Sequence, residues 1–189
     1  MEKGVLAVIS GFSGVGKGTL VKELIKRYDD YALSISATTR SPRPGEENGR
    51  EYFFLTKEEF KKGIREGKFL EYTVYVDNYY GTPKDYVLEQ MEQGKNIILE
   101  IEIEGGFNIK KAFPQAKLIF IVPPNKQELE RRLRKRGTET EEEIQRRLAR
   151  AEEEKVYMND YDYILVNGDF EDSLRKLNNI IRNKEEQES

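Results

Sequence analysis

The chain has 189 residues and contains neither cysteine nor histidine, which excludes disulfide bonds, cysteine- or histidine-ligated metals and histidine-based acid–base catalysis. Its formal net charge of −3 argues against a general nucleic-acid binder, because such domains are usually basic. No apolar run has membrane-spanning length, and the first residues lack the form of a secretory signal. We therefore expect a cytoplasmic protein with one sizeable core and no membrane contact.

The chain opens with an apolar strand, a glycine-rich turn and the start of an amphipathic helix, over residues 5–24. Within it Gly11, Gly16 and Lys17 match the phosphate-loop pattern G-x-x-x-x-G-K. Glycines allow the backbone to curl so that successive N–H groups converge on one anion, and the helix directs its positive dipole end to the same point. A glycine-rich turn without a ligand is the alternative, but the flanking strand and helix favour nucleotide binding.

The predicted nucleotide-binding loop takes in every residue from the first glycine to the threonine after the lysine. Its members are Gly11, Phe12, Ser13, Gly14, Val15, Gly16, Lys17, Gly18 and Thr19. Gly18 stands where a serine or threonine usually follows the lysine, so the hydroxyl that often meets magnesium is absent at that position. The sequence leaves open whether Thr19 substitutes for it and which groups hold the metal.

The next part of the chain, residues 31–82, is rich in short strands and turns. The pattern predicts strands over 31–36, 50–55 and 69–75, and a capping box at Thr56 and Glu59 that opens a short helix. Thr82 is predicted as the N-cap of a following helix, with Pro83 at its first position. Residues 34–82 therefore form an antiparallel lobe inserted into the main fold.

The remainder alternates strands and helices. Strands are predicted over 96–104, 116–122 and 162–167, and a short helix over 107–113. Asn125 and Thr140 cap two further helices, and the terminal helix is apolar on one face. Such alternation is typical of an α/β fold, with a parallel sheet and helices on both sides.

Several side chains of the inserted lobe suggest an anion site. Arg40 and Arg43 lie on a loop rich in proline and glycine, and a guanidinium group there suits a phosphate. Tyr52 and Tyr80 could donate hydroxyl hydrogen bonds to the same group. Glu71 interrupts an apolar and aromatic strand, and its carboxylate could accept from the two adjacent N–H donors of a guanine. Taken singly, each of these residues fits an ordinary surface or core role at least as well.

Together these motifs closely resemble the guanylate kinase family. The segment SATTRSPRPGEENGREYFF is similar to that family's nucleotide-monophosphate signature, and EYTVYVDNYYGT and RRLRKRGTETEEEIQRRL resemble further family blocks. The resemblance extends from residue 5 to about residue 181. It implies one guanylate-kinase-like domain, with a phosphate-loop core (1–33, 83–125 and 158–189), a GMP-binding lobe (34–82) and a helical lid (126–157).

The resemblance also assigns roles to individual residues. For the GMP phosphate it implies Arg40, Arg43, Tyr52 and Tyr80, and for the guanine pocket Ser36, Glu71, Thr82 and Glu100. The phosphate loop with Lys17 would hold ATP, together with Asn167 beside the adenine. Lys17, Arg40, Arg136 and Arg147 would be catalytic, with Arg132 as a third candidate in the lid and Mg²⁺ as cofactor.

Two groups of residues set limits to this transfer of roles. Glu100-Ile101-Glu102 stands where the family usually has Asp-Ile-Asp, so the charge at both positions is kept but each carboxylate is on a longer side chain. Arg131, Arg134 and Arg150 are expected on a solvated helix face, paired with nearby glutamates.

The resemblance implies transfer of the γ-phosphoryl group of ATP to GMP, and also to dGMP, in purine nucleotide metabolism. The alternatives are a non-catalytic guanylate-kinase-like module that binds phosphorylated peptides and a kinase for another nucleoside monophosphate. The intact loop glycines and Lys17 argue against the first. The expected partners are ATP and GMP, without nucleic acid, and the sequence leaves the oligomeric state open.

Overall fold

The computed structural model describes residues 3–137 and 139–183, apart from the side chain of Arg136. Its strands are β1 (Leu6–Gly11), β2 (Tyr31–Leu33), β3 (Ala37–Thr38), β4 (Phe53–Phe54), β5 (Phe69–Tyr75), β6 (Asn78–Pro83), β7 (Asn96–Glu100), β8 (Lys117–Val122) and β9 (Tyr163–Val166). Its α-helices are α1 (Lys17–Arg27), α2 (Lys57–Arg65), α3 (Lys84–Glu92), α4 (Ile103–Ala112), α5 (Lys126–Arg136), α6 (Glu141–Glu154) and α7 (Phe170–Arg182). A 3-10 helix, Lys155–Asp160, follows α6.

A five-stranded sheet forms the centre of the fold, in the order β2-β7-β1-β8-β9, and all its pairings are parallel. Val8 in the middle of β1 is in register with Leu99 on one side and Leu118 on the other. All three side chains are buried, as expected for a parallel sheet covered on both faces. The prediction of a parallel α/β core is confirmed.

The loop after β1 lies at the carboxyl edge of this sheet, between the ends of β7 and β8. From β1 the chain first crosses to β2, at one edge of the sheet. Later it crosses from β7 to β8, which lies on the opposite side of β1. In open α/β sheets, ligands bind in the crevice at such a point, outside the carboxyl ends of the strands. The topology therefore sets the glycine-rich loop where a binding site is expected.

A second sheet, in the order β4-β3-β6-β5, forms the inserted lobe, which leaves the core at the carboxyl end of β2. Phe60 of α2 is fully buried beneath it, stacked on Phe69 with ring centroids 4.2 Å apart and in contact with Tyr79 at 5.2 Å. The lobe thus has a small aromatic core of its own. β3–β6 and β5–β6 are antiparallel as predicted, but β3 and β4 pair in parallel.

Helices α5 and α6 carry the arginine-rich segment. Asn125 accepts a hydrogen bond from the N–H of Glu128, and Thr140 forms a complete capping box with Glu143, so both predicted N-caps are confirmed. The capping box at Thr56 is confirmed as well. Among the helices of the described residues, none combines the length and the apolar character needed to cross a lipid bilayer.

The predicted bounds of four elements were wrong. The predicted strand 31–36 ends at Leu33, because the chain then leaves the central sheet and joins the lobe as β3 at Ala37. The predicted strand 50–55 is reduced to two residues, Phe53–Phe54. The predicted strand 96–104 ends at Glu100 and α4 begins at Ile103 rather than Phe107, since Glu102 and Glu104 suit the positive end of a helix.

The predicted N-cap at Thr82 was also wrong. Thr82 lies within β6, the cap position of α3 is occupied by Pro83, and no side chain caps that helix. The Thr82 hydroxyl instead donates a hydrogen bond of 2.8 Å to the Glu71 carboxylate. The Thr-Pro pair has the local form of a helix start, but a long-range contact uses its hydroxyl.

We expect Val76→Asn to stabilise the protein. Val76 and Asp77 form the two-residue turn between β5 and β6, with φ angles of 45° and 63°. A turn with both φ angles positive suits asparagine, whereas a β-branched side chain is strained there. The change should raise the free energy of unfolding by about 1 kcal/mol, or the melting temperature by about 2–4 °C, measured by scanning calorimetry.

Val74→Asn is the matched control, because Val74 is similarly exposed but lies in the extended strand β5. Since asparagine is disfavoured in strands, this change should leave the melting temperature equal or lower. An equal rise for both variants would show that turn strain is not the cause.

Candidate active site

The glycine-rich loop after β1 has the backbone of an anion cradle. Gly14 and Gly16 have φ angles of 89° and 98°, in the left-handed region that glycine tolerates. Gly16 is the N-cap residue of α1, so the helix opens directly onto the loop, and its first turn contains no acidic residue. The N-terminus of α1 is therefore available to attract a phosphate group.

The loop is fixed by its contacts with the core. A β-carbon at Gly11 would lie 2.2 Å from the backbone oxygen of Ile121, so no larger residue fits there. The side chains of Phe12 and Val15, both predicted to belong to the loop, are buried, and Phe12 packs edge-on against Phe120. These two residues anchor the loop and leave its main chain to face a ligand.

Lys17 is held within this loop. Its Nζ donates to the carbonyl oxygen of Gly11 at 2.7 Å and to that of Phe12 at 3.3 Å. The loop borders a cavity of about 410 Å³, which is also lined by charged side chains. They are Lys22, Glu100, Glu102, Arg150 and Glu154. A polar cavity of this size over a phosphate loop suits a nucleotide's phosphates.

Helix α6 contacts the loop through an arginine that the sequence predicts as functional. Arg147 donates from Nη1 to the hydroxyl of Ser13 at 2.7 Å, and its Nη2 lies 3.2 Å from a carboxylate oxygen of Glu139. The guanidinium group is thus already at the edge of the cavity. Arg136, predicted for the same role, has a side chain outside the described residues.

Arg132 and Asn167 meet on the other side of the loop. Arg132 donates to the carbonyl oxygens of Val15 and Asn167, at 2.9 and 2.8 Å, and the Asn167 side chain donates to the Val15 oxygen at 2.8 Å. Arg132 is also paired with Glu128 of its own helix. The two residues therefore brace the loop, and Asn167 is buried beside it.

In the inserted lobe, Arg40 forms a compact cluster with an acidic partner. Its two Nη atoms bind the two carboxylate oxygens of Glu46, at 3.0 and 2.9 Å, and the backbone N–H of Arg43 donates to Glu46 at 2.7 Å. Both side chains of the pair are less than one-fifth exposed. These donors hold the pKa of Glu46 below its ordinary value. Sequence reasoning did not identify Glu46.

The predicted tyrosines complete this cluster. The Arg40 guanidinium lies over the Tyr52 ring, 5.4 Å from its centroid, and the centroids of Tyr52 and Tyr80 are 6.2 Å apart. Tyr80 also helps to raise the pKa of Arg40, after the larger effect of Glu46. The Arg43 side chain is exposed to solvent. The structure therefore brings together three of the four predicted phosphate contacts.

Glu71 and Thr82 form a second pair in the lobe. Thr82 is fully buried and donates its hydroxyl to Glu71, and burial raises the pKa of Glu71 while this hydrogen bond opposes the rise. Ser36, predicted for the same pocket, is partly buried, and its carbonyl oxygen accepts from the N–H of Phe53. The pair offers a carboxylate acceptor for two adjacent N–H donors.

Glu100 lies beside the phosphate loop. Both of its carboxylate oxygens are 3.7 Å from the position that a β-carbon on Gly18 would take. A β-carbon at position 18 would only touch this carboxylate at ordinary van der Waals distance, so space does not require glycine there. Thr19, Glu100 and Glu102 give the cavity oxygen donors of the type that Mg²⁺ prefers. Among the described residues, no three or more histidine, cysteine, aspartate or glutamate side chains are grouped so that they could hold a metal ion, so a metal here would be held largely by phosphates and water.

The other lid arginines were expected on a solvated helix face, paired with nearby glutamates, and all three are exposed and so paired. Arg131 pairs with Glu128, and Arg134 with Glu130 and Glu141, all on α5 or α6. Arg150 was expected on a solvated face, and it is well exposed, but it lines the cavity and binds Glu102 across it at 2.8 Å. The sequence offered no signal for that contact, because the two residues are 48 positions apart.

A phosphate loop at the switch point of a parallel sheet, with arginines reaching it from neighbouring helices, defines a P-loop phosphotransferase. A family model described as guanylate kinase matches residues 3–184. The chain therefore belongs to the guanylate kinase family. It is an enzyme of that type, and the non-catalytic module is not favoured.

Individual relatives agree with this assignment. A guanylate kinase from Caldanaerobacter subterraneus subsp. tengcongensis is 49% identical over 95% of this chain and 87% of the relative. A guanylate kinase from Synechocystis sp. is 51% identical over 97% of this chain and 96% of the relative. A crystal structure of guanylate kinase from Anaplasma phagocytophilum covers 97% of this chain and 87% of its own, with 30% identity and a TM-score of 0.68.

Proposed function

We propose that this enzyme transfers the γ-phosphoryl group of ATP to GMP, and also to dGMP, giving ADP and the nucleoside diphosphate. The observation that carries the acceptor is the Glu71–Thr82 pair near the Arg40 cluster in one lobe. A carboxylate that accepts two N–H donors suits the edge of guanine, and a guanidinium group with tyrosines suits a phosphate. The guanylate kinase relatives support the same substrate.

The donor and acceptor sites are assigned residue by residue. ATP phosphates bind residues 11–19, with Asn167 beside the adenine. The phosphate of GMP binds Arg40, Arg43, Tyr52 and Tyr80, and its base binds Ser36, Glu71, Thr82 and Glu100. The Glu100 carboxylate lies against the phosphate loop, beside Gly18.

The chemistry follows from charge. The GMP phosphate has its second pKa near about 6, so at neutral pH it is mostly ionised and needs no general base. Phosphoryl transfer is chiefly positioning and electrostatic stabilisation. Lys17, Arg40, Arg136 and Arg147 neutralise the charge that spreads over the transferring group. Bound Mg²⁺ would supply further charge neutralisation, and Thr19, Glu100 and Glu102 of the cavity lining would offer it oxygen ligands.

Water must be excluded during transfer. We assign residues 34–82 as the GMP-binding lobe and 126–157 as a lid, and both close on the core (1–33, 83–125 and 158–189) when the two nucleotides are bound. Closure prevents water from accepting the phosphoryl group. ATP hydrolysis in the absence of GMP should accordingly be slow.

The test is a coupled assay of ADP release with ATP and each of GMP, AMP, CMP and UMP in turn. Rapid release with GMP alone supports the proposal. Equal or faster release with another monophosphate would overturn the assignment of the base pocket.

We expect Glu46→Gln to raise the KM for GMP about 10-fold with a smaller effect on kcat, because one charged hydrogen-bond partner of Arg40 is lost. Glu46 holds both Nη atoms of Arg40, and a neutral amide offers one acceptor oxygen in place of two. Steady-state kinetics with varied GMP at saturating ATP measure the change. Glu47→Gln is the matched control, since its exposed carboxylate pairs with Arg50. A lower KM for the Glu46 variant would show that Glu46 competes with the substrate phosphate.

A further inference from the structure

Arg150, which lines the cavity, links α6 to the segment after β7. Its Nη2 donates to Glu102 at 2.8 Å, and its Nε donates to Glu154, one turn along the same helix, at 2.7 Å. Arg147, three residues earlier, already touches Ser13 of the loop. Of these two arginines of α6, Arg150 lines the cavity and Arg147 contacts Ser13 at its edge.

The charges around the cavity make Arg150 important for an anionic ligand. The lining contains the cations of Lys17, Lys22 and Arg150 and the carboxylates of Glu100, Glu102 and Glu154. These charges balance only with Arg150 present. Without it, three carboxylates would face two lysines, and the cavity would attract a polyphosphate less strongly.

The two ion pairs of Arg150 differ in exposure. The Glu154 side chain is 15% exposed, and its bond to Nε fixes the guanidinium group on the helix. The Glu102 side chain is 81% exposed, so water screens its bond to Nη2 and the pair is easily exchanged. A phosphate that enters the cavity offers a more highly charged acceptor at the same donor.

We propose that Arg150 is a further ATP-binding residue, and that it exchanges Glu102 for a phosphate oxygen of ATP while Glu154 keeps it in place. This inference rests on the proposed function in taking ATP as the ligand. It adds a lid arginine to Arg136, Arg147 and the candidate Arg132, which the family resemblance implies, and it makes Glu102 a counterion that ATP replaces.

The test is calorimetric titration of ATP into the full chain with EDTA present, so that no metal contributes. Arg150→Gln should weaken ATP binding about 10-fold, because a charged hydrogen bond is lost. Arg146→Gln is the matched control on the same helix, since Arg146 is 70% exposed and pairs with Glu142 at 3.5 Å. The affinity of this control variant for ATP should stay within about twofold of that of the unmodified protein, as expected when an exposed ion pair is lost.

Glu102→Gln separates this role from a purely structural one. If the Arg150–Glu102 pair only holds α6 in place, both variants break the same contact and weaken ATP binding alike. If ATP replaces Glu102, the Glu102 variant binds ATP at least as tightly as the unmodified protein. Melting temperatures of all variants, measured alongside, show that each is folded. Arg150→Lys, which keeps the charge but loses the planar fork, should give an intermediate affinity.

Two results would overturn the inference: unchanged ATP affinity in Arg150→Gln, or an equal loss in Glu102→Gln. Unfolding of Arg150→Gln together with normal affinity in Arg150→Lys would also overturn it, because the residue would then be structural. Failure of the unmodified protein to bind ATP would refute the proposed function as well. Normal binding of ATP without GMP phosphorylation would refute the proposed function alone.

Discussion

Lys17→Met should lower kcat for GMP phosphorylation by about 10²-fold or more, since removal of one preorganised donor to a reacting centre typically has an effect of this size. The Lys17 ammonium lies within the loop, in contact with the carbonyl oxygens of Gly11 and Phe12. When phosphates occupy the cradle, this cation neutralises the charge that develops on the transferring group. Steady-state kinetics at saturating ATP and GMP measure the loss.

Lys26→Met is the control for this change. Lys26 lies on the same helix, its side chain is 78% exposed, and its nearest carboxylate is 3.9 Å away on Glu23. The kcat of the Lys26→Met variant should equal that of the unmodified enzyme. A Lys17 variant with nearly normal kcat would contradict the role of the loop in catalysis.

Glu71→Gln should raise the KM for GMP about 10- to 100-fold and leave the KM for ATP almost unchanged, by analogy with the discrimination that one bidentate contact to a base provides. The amide keeps one acceptor oxygen but turns an NH₂ group toward a guanine N–H donor. The buried Thr82 hydroxyl, which donates to Glu71, holds the carboxylate in place. Kinetics with each nucleotide varied in turn measure the two effects.

Glu58→Gln, an exposed change on α2 of the same lobe, should leave both KM values as they are. Equal loss of GMP and ATP affinity in the Glu71 variant would indicate damage to the fold rather than to a base pocket. If the KM for GMP is unchanged, the assignment of the guanine site is wrong.

Because the pKa of Glu71 is raised, the difference in the KM for GMP between the unmodified enzyme and Glu71→Gln should depend on pH. Burial favours the protonated carboxyl group, so it loses its charge at a higher pH than an ordinary glutamate. As pH falls through that range, the ionised fraction decreases and the KM for GMP should rise. The phosphate of GMP titrates too, but it does so equally in Glu71→Gln, so the difference between the two profiles isolates Glu71.

The parts of the fold that the sequence predicts well are those fixed by neighbouring residues. The phosphate loop follows from glycines at set spacing, and three N-caps follow from a polar residue three positions before a glutamate. The buried strands β1 and β8 are continuous apolar runs, which a sheet covered on both faces requires.

The errors lie where distant contacts override local preference. Thr82 precedes a proline as an N-cap would, yet its hydroxyl is used by Glu71 on a neighbouring strand. β3 and β4 pair in parallel, and the residue pattern of neither segment predicts whether the two strands run parallel or antiparallel. Arg150 has a glutamate one turn away, which predicts a solvated pair, and only the folded chain brings Glu102 to it.

The most direct measurement follows the γ-phosphoryl group itself. ATP labelled at its γ-phosphate is incubated with the enzyme, with and without GMP, and the products are separated. With GMP, the label should appear in the β-phosphate of GDP in proportion to the ADP formed, and without GMP very little ADP should form. Label released as inorganic phosphate at a similar rate in both reactions would contradict direct transfer between two bound nucleotides.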